Sequence, residues 1–154
     1  MPGTIKRRQE IAIIDRKECP FCNLESLQII EENEKAIVFF SNPRLVKGHL
    51  LVIPKRHIEK PWELTAKERS DIFELLFKYQ QIITDKMATG CDIKENYRPF
   101  LSQSRLKVDH VHFHLIPREL YDDIWEKVQG EADLFRDIDE QELSSTHKKL
   151  AGSS

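Results

Sequence analysis

Residues 108–119 read VDHVHFHLIPRE, with His110, His112 and His114 at every second position and Val111, Phe113 and Leu115 between them. In a strand, residues two apart project from the same face. The three imidazoles therefore line one side, and the three apolar residues bury on the other. Alternation this clean excludes a strand buried on both faces and leaves one polar, working face. Three of the chain's six histidines fall within these five positions. Side by side they are costly if charged, so the row calls for a metal site or for a nucleophile with helpers.

The remainder of the chain supplies a sheet for that strand. SLQIIEEN and KAIVFFSN read as two short strands around the polar turn from Glu31 to Lys35, an antiparallel hairpin. HLLVIP (49–54) is a nearly continuous apolar run of the kind found in buried strands. Thr65 to Glu68 form a capping box, and Ile72, Leu75, Leu76, Tyr79, Ile82 and Ile83 follow at helical spacing as far as Gly90. Phe73 and Phe77 make a second ridge, which fits either a wide core face or a subunit interface. Tyr97 to Ser102 and Val108 to Pro117 are expected to be strands, and Tyr121 to Gln129 a shorter helix. Strands, a long helix and strands again make an α+β fold with an antiparallel sheet.

With 154 residues the chain fits one domain with a real core. Its expected parts are an N-terminal extension (1–17), the domain proper (18–130) and an acidic, polar tail (131–154) open to helix formation. A net charge of −2 offers no basic field for nucleic acid or an anionic membrane. The apolar run near the start, Ile11 to Ile14, is too short for a signal peptide, and no stretch is long enough to span a bilayer. Three cysteines, two of them in CPFC (19–22), fit a reducing compartment and a metal or redox role better than a disulfide framework. The expected location is cytoplasmic.

HVHFHLI (110–116) resembles the H-x-H-x-H-x-x signature of the histidine triad (HIT) superfamily, and GHLLVIPKRH (48–57) is similar to that family's G-H-x-L-V-I-P-K-x-H stretch. A CxxC near the start, the long helix and the triad strand follow the family order, so the resemblance runs over residues 18 to 119. It implies the HIT-like fold, a homodimer, and transfer or hydrolysis of nucleotidyl groups. His112 takes the place of the nucleophile that forms a covalent nucleotidyl-histidine. His114 takes that of a helper to the phosphate or leaving group, and His49 that of the family's additional histidine. Ser41 and Asn42 occupy the place of ribose contacts, while Ile29 and Phe39 fit either base walls or plain core.

The resemblance also implies a structural zinc. Cys19 and Cys22 supply two thiolates, and His57 and His110 complete a Cys₂His₂ set. A redox pair and two buried thiols are the alternatives for CPFC. Cys91 and His147 receive no role. The match departs just before the triad, where many relatives carry a glycine-rich phosphate loop. Here LSQSRLKVDH has no glycine. Ser102 falls at the family's asparagine, with Ser104, Arg105 and Lys107 as phosphate-binding candidates and a solvated basic turn as the alternative for Arg105. The expected activity is hydrolysis at the α-phosphate of a dinucleoside polyphosphate or nucleoside phosphoramidate. A nucleotidyltransferase or phosphorylase, and a nucleotide-binding regulatory module with little turnover, are its rivals.

Overall fold

The computed structural model describes residues 19–125, 127 and 134–152. The expected N-terminal extension lies outside these residues, as do Glu126, Val128 and Gln129 of the helix expected over Tyr121 to Gln129. Residues up to Glu119 form one unit and those from Leu120 another.

The first unit is a five-stranded sheet. Its strands are β1 (Ile29–Glu32), β2 (Ala36–Phe40), β3 (Leu50–Pro54), β4 (Gly90–Glu95) and β5 (Phe113–Arg118), in the order β1-β2-β3-β5-β4. Every neighbouring pair is antiparallel. The central β3 is buried along its whole length, as its unbroken apolar run requires. Helix α1 (Ala66–Lys86) covers one face and packs Ile72, Leu75, Leu76 and Ile83 against Val38, Val52 and Leu115. On the opposite face Ile37, Phe39, Leu51 and Ile53 form a smaller cluster with Phe21 and Leu27. His114 pairs with Leu51 of β3 and Lys94 of β4, which places it on this second face, away from α1.

The start of α1 is fixed by chemistry that the sequence announces. Thr65 Oγ1 accepts the Glu68 amide at 3.1 Å, and Glu68 Oε1 accepts the Thr65 amide at 2.9 Å. Glu68 is buried and also takes a two-pronged hydrogen bond from Arg56, at 2.8 and 3.1 Å. Arg56 holds its carboxyl down to about pKa 2. Asp71, equally buried, accepts the Lys35 amide and Lys67, so the β1–β2 turn is tied to the same helix.

Two expectations fail, for one reason. The strand beside the triad is Gly90–Glu95, not Tyr97 to Ser102, and β5 opens at Phe113 rather than Val108. Register decides both. Glu95 and Val52 meet β5 at Phe113, and the pairing with each neighbour stops there. Beyond that point Val111 gives its amide to the Ile58 carbonyl at 2.7 Å. Pro99 has no N–H to contribute to a ladder, which removes Tyr97 to Ser102 from the sheet. The alternation of Cys91, Ile93 and Glu95 was the usable strand signal, and Gly90 begins that strand instead of only ending the helix region.

In the second unit, α2 (Glu140–Ala151) is capped by Asp139, whose side chain accepts the Glu142 amide at 2.8 Å. Acidic residues in its first turn and Lys148 and Lys149 in its last complement the helix dipole. No helix among the described residues is long and apolar enough to cross a membrane.

Candidate functional site

Two groups of side chains meet along the triad. At one end Cys19, Cys22, His57 and His110 bring one ligand atom each to within 4.8 Å of one another. Cys19 Sγ lies 3.5 Å from His110 Nδ1, and Cys22 Sγ lies 3.3 Å from His57 Nδ1 and 3.6 Å from His110 Nδ1. Zinc–sulfur and zinc–nitrogen bonds in a tetrahedron imply a sulfur-to-nitrogen edge of about 3.6 Å. The donor set and its spacing therefore fit a tetrahedral soft-metal site. The far nitrogen of His110 adds a constraint. Its Nε2 lies 2.9 Å from the Pro54 carbonyl, which only accepts, so Nε2 carries the proton and Nδ1 keeps its lone pair for a metal.

At the other end, backbone groups fix two further tautomers by the same logic, and one of these fixes a third. The Leu45 amide donates to His49 Nδ1 at 3.1 Å, so His49 carries its proton on Nε2. That N–H points at His114 Nδ1, 2.9 Å away, and leaves His114 with its own proton on Nε2. His112 Nδ1 lies 2.7 Å from the His110 carbonyl, to which it must donate, so the free Nε2 of His112 is a lone pair. The His112 and His114 rings stand 5.1 Å apart.

Burial keeps all of these rings neutral near pH 7. It pushes His49 down to about 4 and His114 down to about 3, with neighbouring imidazoles adding to the shift. His112 is lowered chiefly by burial and further by the Lys107 charge, against the opposing pull of the His110 carbonyl. Gly48 allows His49 its position. Its φ of +86° suits glycine, and a Cβ there would meet Met87 Cε at 2.5 Å and Pro117 Cγ at 3.2 Å.

The phosphate-loop residues are dispersed. The amides of Ser104, Leu106 and Lys107 bond the Lys107 carbonyl, the Ser104 hydroxyl and the Ser104 carbonyl, and the Asp109 amide bonds Gln103 Oε1. These N–H groups are consumed within the loop. Lys107 pairs with Asp109 and lines a cleft that His112 also lines, whereas Ser102 and Ser104 are not part of that lining. Ser41 gives its amide to the His49 carbonyl at 3.0 Å and its hydroxyl to the Pro43 carbonyl at 2.8 Å. Asn42 is exposed and precedes Pro43 through a cis peptide. Phe39 is buried against Phe21, and Ile29 is exposed on edge strand β1.

Two residues escaped the sequence reading. Phe21, inside the CxxC, packs edge-on against His110 and His112 with centroids 5.9 and 5.3 Å away, so the cysteine knuckle touches the central histidine of the row. An aromatic between two candidate metal ligands was the signal available for it. Asn96 follows β4 directly and lines the cleft with His112 and Lys107. It was hidden by the misplaced strand.

Comparisons with known proteins agree with one another. The HIT domain family profile matches residues 24–120. Protein hit of Bacillus subtilis is 31% identical over 147 residues, covering 90% of this chain and 97% of the relative. The adenosine 5'-monophosphoramidase hnt1 of Schizosaccharomyces pombe is 34% identical, over 65% of this chain and 74% of its own length. The crystal structure of a HIT family protein from Bacillus anthracis superposes with a TM-score of 0.67 at 27% identity, over 89% of this chain and 97% of that one.

Proposed function

This chain belongs to the HIT domain family, and from that membership we propose that it is a nucleotidyl hydrolase working through His112. The observation that carries the reading is the set of backbone-fixed tautomers, which leaves His112 Nε2 a lone pair and His114 Nε2 a hydrogen-bond donor. In the first step His112 Nε2 attacks the α-phosphorus. The N–P bond forms and the bond to the leaving group breaks, with its electron pair departing on that group. The imidazole then carries positive charge, held by the Nδ1–H bond to the His110 carbonyl. In the second step water attacks phosphorus, the N–P electrons return to His112, and one proton is released. The sum is conjugate plus water giving nucleoside monophosphate plus the protonated leaving group.

His114, with its pKa near 3, is neutral in the free protein. It therefore serves as a donor to a phosphate or leaving-group oxygen rather than as a charged acid. Lys107 and Asn96, both on the cleft, are the proposed phosphate contacts, the cation replacing the amides that the loop has consumed. Cys19, Cys22, His57 and His110 would hold zinc, which would contribute folding free energy and pin the Phe21 knuckle against His112.

The same reading places the protein in the cytoplasm as a homodimer. β4 is a sheet edge, and Phe73 and Phe77 are 42% and 57% exposed on α1. Phe77→Glu should convert a dimer into a monomer in sedimentation.

The engaged loop amides favour one second reading, a nucleotide-binding module with little turnover. A single experiment separates the two. The protein is incubated with a dinucleoside polyphosphate or an adenosine phosphoramidate, quenched, and digested for mass spectrometry. A nucleotidyl group on the peptide holding His112, with monophosphate released and both lost in His112→Ala, supports the hydrolase. Tight binding with neither adduct nor release overturns it in favour of the module.

A further inference from the structure

We infer that Lys94, which lies opposite His114 on the outer strand β4, is a further residue of the reaction: its ammonium group takes up the negative charge of whatever leaves the α-phosphate. The inference rests on the nucleotidyl-transfer reading above and adds to it a side chain that belongs neither to the histidine row nor to the loop facing it.

The placement follows from register. Lys94 and His114 are direct partners across the β4–β5 ladder. Directly opposed residues of an antiparallel pair project from the same face, with Cβ atoms about 5 Å apart. β4 ends the sheet on that side, and Lys94 is exposed. His114 keeps its proton on Nε2, the group that addresses a leaving oxygen. The four-carbon stem of Lys94 is long enough to bring an ammonium group to the same oxygen. Its charge already acts on the ring. Burial is the main cause that lowers His114, His112 and His49 follow, and Lys94 pushes in the same direction.

Pairing separates Lys94 from its cationic neighbours. Lys107 is paired with Asp109. Asp92, two residues before Lys94 and on the same face, is held 2.8 Å from Arg118. Lys94 has no hydrogen bond or ion pair among the described residues. When the bond from the α-phosphorus breaks, its electron pair goes to the leaving oxygen, and negative charge appears in front of His114. His114 donates a hydrogen bond to that oxygen, and Lys94 supplies the opposite charge. Neither gives up a proton, so the sum of the reaction is unchanged. A leaving amine takes up a proton instead and presents no anion to Lys94.

The test compares two probes by calorimetry in the non-turning-over His112→Ala background. ADP carries a β-phosphate where the leaving group departs, and AMP carries none. ADP should bind more tightly than AMP while Lys94 is present. Lys94→Gln should lower that preference by about 5-fold, the upper end for an exposed ion pair, and change AMP binding by less than about 2-fold. Lys94→Arg, which keeps the charge, should keep the preference, and added salt should weaken it. A preference unchanged in Lys94→Gln, or a parallel loss of both probes, overturns the assignment. Hydrolysis by the unmutated protein is scored separately. If no monophosphate is released from a dinucleoside polyphosphate or a phosphoramidate, yet the preference responds to Lys94, the hydrolase reading fails and Lys94 stands as a contact for the group beyond the α-phosphate. If monophosphate is released and the preference does not respond, the hydrolase reading stands and Lys94 has no part in it.

Discussion

The two sides of the candidate site are built on different principles. The histidine row sits on the β3–β5 seam, where each ring is buried or half-buried and tied to a backbone group or to another ring. The loop facing it, 96–109, is mostly exposed and bonded to itself, with Leu106 at 82% and Phe100 at 80% exposure. The row can hold a reacting nitrogen in place to a fraction of an ångström. The loop can change residues at little cost to the fold. In the proposed reading, chemistry belongs to the first and the choice of substrate to the second, as expected when loops are carried on a rigid scaffold.

That division can be broken by measurement. The largest effect should come from His112→Ala, with turnover falling by about 10⁴-fold or more while circular dichroism and metal content stay as they were. Retained turnover would remove His112 as the nucleophile. Next comes Cys22→Ser, which should abolish tight zinc binding and cost several kcal/mol of stability, seen together by metal analysis and thermal melting. A metal-free protein that melts where the wild type does would show that the cluster is not structural.

Gly48→Ala probes the row without touching a histidine. A methyl group 2.5 Å from Met87 Cε at φ +86° should cost about 1–3 kcal/mol, a fall in Tm of several degrees. Leu106→Gly, in the loop, should cost under about 0.5 kcal/mol because the side chain is almost fully exposed. Equal losses in the two variants would erase the contrast.

The pH dependence has a fixed sign. His49 and His114 bind protons more weakly folded, at about 4 and about 3, than at the unfolded value of about 6.5. The unfolded state therefore takes up more protons as pH falls below about 6.5. Their contribution is complete above that value and is lost progressively toward pH 4 and below. A melting temperature that is flat from pH 6.5 to 4.5 would mean that the imidazoles charge without opening the seam.

The same contrast explains what was legible in the sequence. The α1 capping box and the buried β3 run are written in local residue types and the structure forms both; the Cys₂His₂ set came from the family resemblance, and the structure gathers it. What misled was register. The apolar residues of Tyr97 to Ser102 look like a strand, but the ladder is set from β5, which pairs Leu115 with Ile93 and reaches no farther than Glu95. Asn96 was missed because the loop was then expected to begin only after Ser102 rather than after Glu95. Phe21 was missed because nothing in a CxxC motif says which way its interior residues point.

The fixed tautomers also sort ligands by charge. Along the row, His110 keeps a lone pair on Nδ1 and His112 one on Nε2, while His114 keeps an N–H on Nε2. The His110 end attracts a cation, and the His114 end attracts an acceptor oxygen. A metal ion and a phosphate oxygen therefore cannot exchange places on this strand. The polarity is written into the main chain, because it depends on the Pro54 and His110 carbonyls and the Leu45 amide, and no side-chain substitution at those three positions reverses it directly.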